Sequence, residues 1–91
     1  MKYGNKIKRI RKIYRDDFTV SLEFQDGFVG KVNLSPLFAN RKKPLVAEIL
    51  RGDIFGSCFV ESGALAWPNG YELCPDSLRS WMADGIVKVA A

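Results

Sequence analysis

Phe18-Thr19-Val20-Ser21-Leu22-Glu23-Phe24-Gln25-Asp26-Gly27-Phe28-Val29-Gly30-Lys31-Val32-Asn33-Leu34 is the stretch whose reading decides the architecture. Phe18, Val20, Leu22 and Phe24 alternate with Thr19, Ser21, Glu23 and Gln25. That period of two belongs to a strand with one buried face. Phe28, Gly30, Val32 and Leu34 repeat it beyond Asp26-Gly27, so the two runs form a hairpin. A two-residue turn would set Leu22 against Lys31 and Val20 against Asn33, mixing apolar and polar side chains on each face. A three-residue loop, Gln25-Asp26-Gly27, instead pairs Phe24 with Phe28, Val20 with Val32 and Phe18 with Leu34, and one face becomes apolar throughout. Gly27 then occupies the left-handed position that closes such a loop, where it has no steric penalty.

Downstream, Ser35-Pro36 signals a helix start with Ser35 as N-cap, although Leu37 and Phe38 allow only one turn before Arg41-Lys42-Lys43. Pro44 opens a second helix, expected to bury Leu45, Ile49 and Leu50 and to stop at Gly52. Asp53-Ile54-Phe55-Gly56 reads as a tight turn that sends one aromatic into the core. Cys58-Phe59-Val60 and Ala64-Leu65-Ala66-Trp67 flank Glu61-Ser62-Gly63, and a three-residue loop at Pro68-Asn69-Gly70 pairs Trp67 with Tyr71 and Leu65 with Leu73. A last amphipathic helix starts at Pro75, has Asp76 at its positive end and Leu78, Trp81 and Met82 on one face, and stops at Gly85.

Upstream, Ile7, Ile10 and Ile13 recur every third residue, as on a helix edge, yet their β-branching favours a strand. The expectation is a bent or bulged strand ending near Tyr14 and joined to the hairpin through Arg15-Asp16-Asp17. The fold class is therefore α+β: a small antiparallel sheet, made of an N-terminal hairpin or meander plus a second hairpin, packed against two or three short helices. Ninety-one residues make a single domain, spanning 1–91.

Charge is segregated along the chain. The first fifteen residues carry Lys2, Lys6, Lys8, Arg9, Arg11, Lys12 and Arg15 and no acid, a net of +7. The remainder carries seven basic and ten acidic side chains, so the overall +4 conceals two regions of opposite sign. No apolar run approaches the roughly 20 residues of a membrane span, and no apolar segment follows the basic start as in a signal peptide. A cytosolic location without membrane attachment is expected.

The chain contains no His, which excludes the usual general base, Ser-His and Cys-His pairs and the commonest metal ligand. Cys58 and Cys74 lack Cys-x-x-Cys spacing and read as small buried hydrophobes; a disulfide requires that their flanking strands be neighbours. Asp16-Asp17, Asp26, Glu61 and Asp76 each fall in a turn or cap, where acids are expected without any joint role. No phosphate-cradling glycine loop, nucleophile elbow or zinc spacing is present. No catalytic residue, metal or cofactor is assigned, and the chain reads as no enzyme.

Two stretches remain as candidate interaction sites. Lys6, Lys8, Arg9, Arg11, Lys12 and Arg15 suit phosphates or an acidic protein if they share a face. An alternating strand would instead scatter them, leaving solvated charges that guard an edge. Trp67, Asn69 and Tyr71 would make an aromatic anchor at a turn, unless Trp67 merely continues the apolar face of Leu65.

Several of these residues also carry a likeness: Phe24-Gln25-Asp26-Gly27, Val32-Asn33-Leu34 with Ser35-Pro36-Leu37, Ile54-Phe55, Trp67-Pro68-Asn69-Gly70 with Leu73, and Pro75-Asp76-Ser77-Leu78. In order and spacing, over nearly the whole chain, they resemble the bacterial domain-of-unknown-function family 2442 (DUF2442). Asn33 stands where that family usually has Asp. The resemblance implies a small α+β fold on an antiparallel sheet and no catalytic residues to carry over. It also implies a gene neighbour encoding a small protein, in an arrangement of toxin–antitoxin type. Some relatives append a helix-turn-helix, for which no segment is seen here. The expected function is a non-enzymatic protein-interaction module, antitoxin-like or regulatory, masking a small cytosolic partner or pairing with itself. The alternative is a nucleic-acid-binding accessory domain that uses the basic N-terminal segment.

Overall fold

The structure, a computed structural model, describes residues 6–39 and 42–84. Two three-stranded antiparallel sheets and three helices make up an α+β domain. The first sheet is the meander β1 (Ile7–Tyr14), β2 (Thr19–Phe24) and β3 (Val29–Asn33), with β2 central. Helices α1 (Ser35–Phe38) and α2 (Pro44–Arg51) follow, then the second sheet, β4 (Phe59–Glu61), β5 (Ala64–Ala66) and β6 (Glu72–Leu73), and finally α3 (Pro75–Asp84). The Gly85 stop expected after α3 lies outside the described residues.

The hairpin takes the register that its apolar face demands. Val20 faces Val32 and Leu22 faces Gly30. Phe24 N–H donates to the Phe28 carbonyl at 2.8 Å, Gly27 N–H to the Phe24 carbonyl at 3.0 Å, and Gly27 adopts φ +94°. At the other end Leu34 N–H donates to the Phe18 carbonyl at 2.7 Å. Val20, Leu22 and Phe24 are fully buried.

The threefold spacing of the isoleucines is explained by two bulges in β1. Its pairs with β2 run Ile7–Phe24, Arg9–Glu23, Ile10–Leu22, Lys12–Ser21, Ile13–Val20 and Tyr14–Thr19. Eight residues of β1 thus lie against six of β2, with Lys8 and Arg11 as the extra residues. Each insertion turns the next isoleucine back to the core, where an unbroken strand would point alternate ones outward. A 3₁₀ turn at Arg15–Asp17 and a left-handed Phe18 (φ 57°) lead into β2.

In the second sheet, Leu65 lies opposite Leu73, and Trp67 N–H donates to the Tyr71 carbonyl at 2.9 Å across the Pro68-Asn69-Gly70 loop. The β4–β5 turn has two residues, Ser62 and Gly63, both with positive φ, since Glu61 pairs with Ala64 as part of β4. Ile7 N–H donates to the Gly63 carbonyl at 2.9 Å and joins β1 to this turn. Phe38 lies at the centre of an aromatic cluster: it stacks on Phe18 (5.4 Å, 2°), meets Phe55 edge-on (5.2 Å, 87°) and leans on Trp67 (5.8 Å). Such pairs add about 0.5–1.5 kcal/mol each beyond their burial.

Three local expectations are corrected. Ser35 is the first residue of α1 and not its N-cap: the N-cap is Leu34, whose side chain makes no cap bond, and the Asn33 side-chain oxygen accepts the Ser35 N–H at 2.8 Å. In α2 it is Val46 that joins Ile49 in the core, while Leu45 is exposed and Leu50 half-buried. The Asn69 amide donates to the Leu45 carbonyl at 3.0 Å and to Glu48 at 3.1 Å, holding that side of the helix against the turn. The stop of α2 at Gly52 is as expected; Gly52 keeps helical dihedrals (φ −88°) and the left-handed residue is the next one, Asp53 (φ 53°), with Ile54 N–H bonded to the Ile49 carbonyl at 3.0 Å. Cys58 is buried but Cys74 is exposed, and both are free. β5 separates the strands beside them, and two inter-strand spacings of about 4.8 Å exceed the reach of a disulfide.

Helix α3 is fastened to the hairpin by Arg79. Its guanidinium grips both oxygens of Asp26 (3.3 and 3.1 Å) and lies 4.0 Å from the Phe28 ring centre. The hydrogen bonds from Arg79, then that from the Phe28 amide, hold the Asp26 carboxyl below its ordinary value of 3.8. A depressed folded-state pKa contributes stability that is complete above the unfolded value and is lost as pH falls through the lower folded value. Asp26→Asn keeps an acceptor for Phe28 N–H but loses the charge. Its urea midpoint is therefore expected to lie below that of wild type near neutrality and to converge with it well below pH ~4.

Gly27 and Gly63 both have positive φ but differ in their surroundings. Gly27→Ala meets nothing within 4 Å, whereas a Cβ on Gly63 would come within 2.9 Å of the Lys6 side chain. Gly27→Ala is expected to destabilise by about 1–2 kcal/mol in denaturant titration, from backbone strain alone. Gly63→Ala should cost more.

Candidate functional site

The bulges that bury the isoleucines also decide where the charge goes. With Ile7, Ile10 and Ile13 inward, the outer face of the first sheet carries three cross-strand rows: Arg9–Glu23–Val29, Lys12–Ser21–Lys31 and Tyr14–Thr19–Asn33. Lys8 and Arg11, the bulged residues, are exposed beside the first two rows. Thr19 and Ser21 are short and lie buried between longer neighbours. Five cations and one carboxylate thus share a single sheet face, where plain alternation would have scattered them. Two shallow, open hollows adjoin β1, over Arg9–Arg11 and over Ile13–Asp17.

Glu23 is the counter-charge of this face. Its carboxylate is 2.7 Å from Arg9 Nε, 3.6 Å from Arg11 Nη1 and 4.0 Å from Lys8 Nζ, and its side chain is only 15% exposed against 61% for Arg9. The Arg9 hydrogen bond, helped by the three positive charges and opposed by desolvation, keeps its pKa below the ordinary 4.5. Glu23 is therefore ionised near neutrality and cancels one of the charges. Further along, Lys12 and Lys31 both stand over Tyr14, at 5.0 and 4.9 Å from the ring centre.

The remaining expected residues do not join this face. Lys6 is exposed and packs over Gly63. Arg15 turns the other way, binding Asp53 at 3.0 Å and lying against Gly56, so it ties the 3₁₀ turn to the end of α2. Trp67 is not a surface anchor: it is 1% exposed and its indole N–H donates to the Phe55 carbonyl at 3.0 Å. Asn69 is taken up by Leu45, Glu48 and the Tyr71 amide, and Tyr71 packs half-buried on Trp67 and Phe38. The loop at 68–70 is a structural staple.

Sequence reasoning did not connect Glu23 and Lys31 with the basic segment. The alternation of β2 and β3 already placed Glu23 and Lys31 outward, but the side taken by β1 depends on the bulges. Among the described residues, no three of the Cys, Asp and Glu side chains gather as a metal site requires, and burial pushes the Cys58 thiol up to about 11. No described helix is long and apolar enough to cross a membrane.

The family model described as "Protein of unknown function (DUF2442)" matches residues 12–83. The chain belongs to the DUF2442 family. The match begins at Lys12, so Lys6, Lys8, Arg9 and Arg11 of this DUF2442 chain precede the matched stretch. Comparison with curated proteins and with solved structures returns no match.

Trp67→Phe provides a test of the staple and core. The substitution leaves the Phe55 carbonyl buried and unpaired, so a loss of about 1–3 kcal/mol is expected in urea unfolding, before any cavity effect.

Proposed function

We propose that this DUF2442 protein is a non-enzymatic interaction module that binds an acidic protein partner through the outer face of its first sheet. The observation that carries the reading is the gathering of Lys8, Arg9, Arg11, Lys12 and Lys31 on that face. Such a field speeds encounter with a partner of opposite sign and rejects partners of the same sign. The partner that best fits the family resemblance is a small protein encoded by a neighbouring gene, masked by stoichiometric binding as an antitoxin masks its toxin. The working location is the cytosol. Turnover by the purified chain that a single carboxylate substitution removes would overturn the non-enzymatic part.

A specific observation favours a second reading, a nucleic-acid contact: Tyr14 sits beside two ammonium groups on the same basic face. Backbone phosphates would engage the cations, with the ring available only in part. The two readings differ in salt response, since each phosphate contact adds about 0.9 to the slope of log affinity against log salt.

The test is co-purification and titration with the neighbour-encoded protein, with and without nuclease. A complex that survives moderate salt and nuclease, and that weakens by roughly tenfold or more when Arg9 and Lys12 are changed to Glu, supports the protein partner. Binding that appears only with an oligonucleotide, and that falls steeply with salt, replaces it with the second reading.

A further inference from the structure

We infer that the outer edge of β3 is the line along which the partner docks, as an extended segment carrying a carboxylate opposite Lys31. The inference rests on the acidic-partner reading above and names the contact that partner makes.

The sheet edges are not equivalent. β1 is bulged twice, and bulges twist an edge away from pairing. β4 has three residues, lies beside β1 and leads into the turn whose Gly63 carbonyl is bonded to Ile7, while β6 has two residues. Among the edge strands of the described residues, only β3 combines length with a regular, unbulged register, over Val29–Asn33. The bonds Phe24–Phe28 and Phe18–Leu34 set the phase of its ladder. Because antiparallel pairs alternate, Gly30 and Val32 direct their backbone groups to β2, and Val29, Lys31 and Asn33 direct theirs outward. Among the described residues no backbone hydrogen bond reaches that outer side.

The side chains select what can pair there. In the register of greatest overlap between two copies of β3, Lys31 falls opposite Lys31, and like charges directly opposite are destabilising. The edge thus excludes its own copy by the same device that guards natural sheet edges. A strand with Asp or Glu at the central position turns that repulsion into attraction, and Lys12 and Lys31 present a second and a first cation to it across Ser21. Apolar surface is ready at the start of the edge, where Phe28 is 36% exposed and Val29 46%. The occupant is therefore an extended acidic segment with an apolar residue placed to meet Val29.

The experiment uses the full wild-type chain, isotope-labelled for amide NMR. It is titrated with a short peptide of alternating threonine and glutamate, with a threonine–lysine peptide and with a single-stranded oligonucleotide. The glutamate peptide is expected to shift the Val29, Lys31 and Asn33 amides and slow their hydrogen exchange, while the lysine peptide shifts none. Lys31→Glu should weaken binding by roughly tenfold, since attraction becomes repulsion at one cross-strand pair. Val29→Pro removes an outward donor and should weaken it too; Lys31→Glu, at an exposed position, serves if the proline variant does not fold. Lys31→Val should make the chain self-associate in sedimentation. Shifts confined to residues 8–12 would overturn edge docking and leave the acidic-partner reading standing. A wild-type dimer paired through β3 would assign the edge to a second copy and overturn the inference. A response to the oligonucleotide alone would overturn both, and so would silence with every probe.

Discussion

Three isoleucines spaced by three must meet three β2 residues spaced by two, and the rest of this molecule is arranged around that mismatch. Ile7, Ile10 and Ile13 reach Phe24, Leu22 and Val20 only because β1 carries an extra residue in each interval. The apolar contacts supply the driving force, and exposed Lys8 and Arg11 are tolerated as insertions because they leave for solvent at once. One geometric compromise therefore does two things. It completes the core beneath the first sheet, and it collects on the opposite face every charge the insertions carry. The face is basic because the core is aligned.

Polar contacts then position what the core leaves free. Arg79 fixes α3 to the hairpin loop, Asn69 fixes the second hairpin to α2, and Arg15 fixes the 3₁₀ turn to the end of α2. Each joins a loop to an element distant in sequence, where packing alone would permit sliding. These are exposed or half-exposed bonds whose individual contributions are small. Their value lies in orientation, since they hold three small helices around a sheet whose outer face they do not cover. Glu23 works differently: it lies within the basic face and reduces its repulsion without reversing its sign.

Legibility followed the range of the physics involved. The β2–β3 register was readable because alternation, the loop length and Gly27 all agree within a few residues, and the Trp67–Tyr71 loop was readable for the same reason. Ser35-Pro36 does mark the start of α1, but Ser35 lies inside the helix and not at its cap, because Asn33, two residues earlier, accepts the hydrogen bond of the Ser35 amide. Leu45 and Val46 are both apolar neighbours, and the packing of α2 decides between them, with Val46 beside Ile49 in the core and Leu45 on the side where Asn69 bonds its carbonyl. The threefold spacing of β1 was visible but ambiguous, because a bulge leaves no mark in a single strand; it exists only in relation to the partner strand.

By itself the sequence determined the elements, the hairpin register, the left-handed glycine, the absence of histidine and the crowding of cations near the N-terminus, all of which depend on neighbouring residues. Tertiary structure alone decided that Trp67 is core and not anchor, that the two cysteines lie beside opposite edges of the second sheet, and that the cations of β1 share one face with Lys31 of β3. The reason is physical: side-chain orientation in a sheet has a period of two that any bulge resets, and where it is reset is decided by the strand across the ladder.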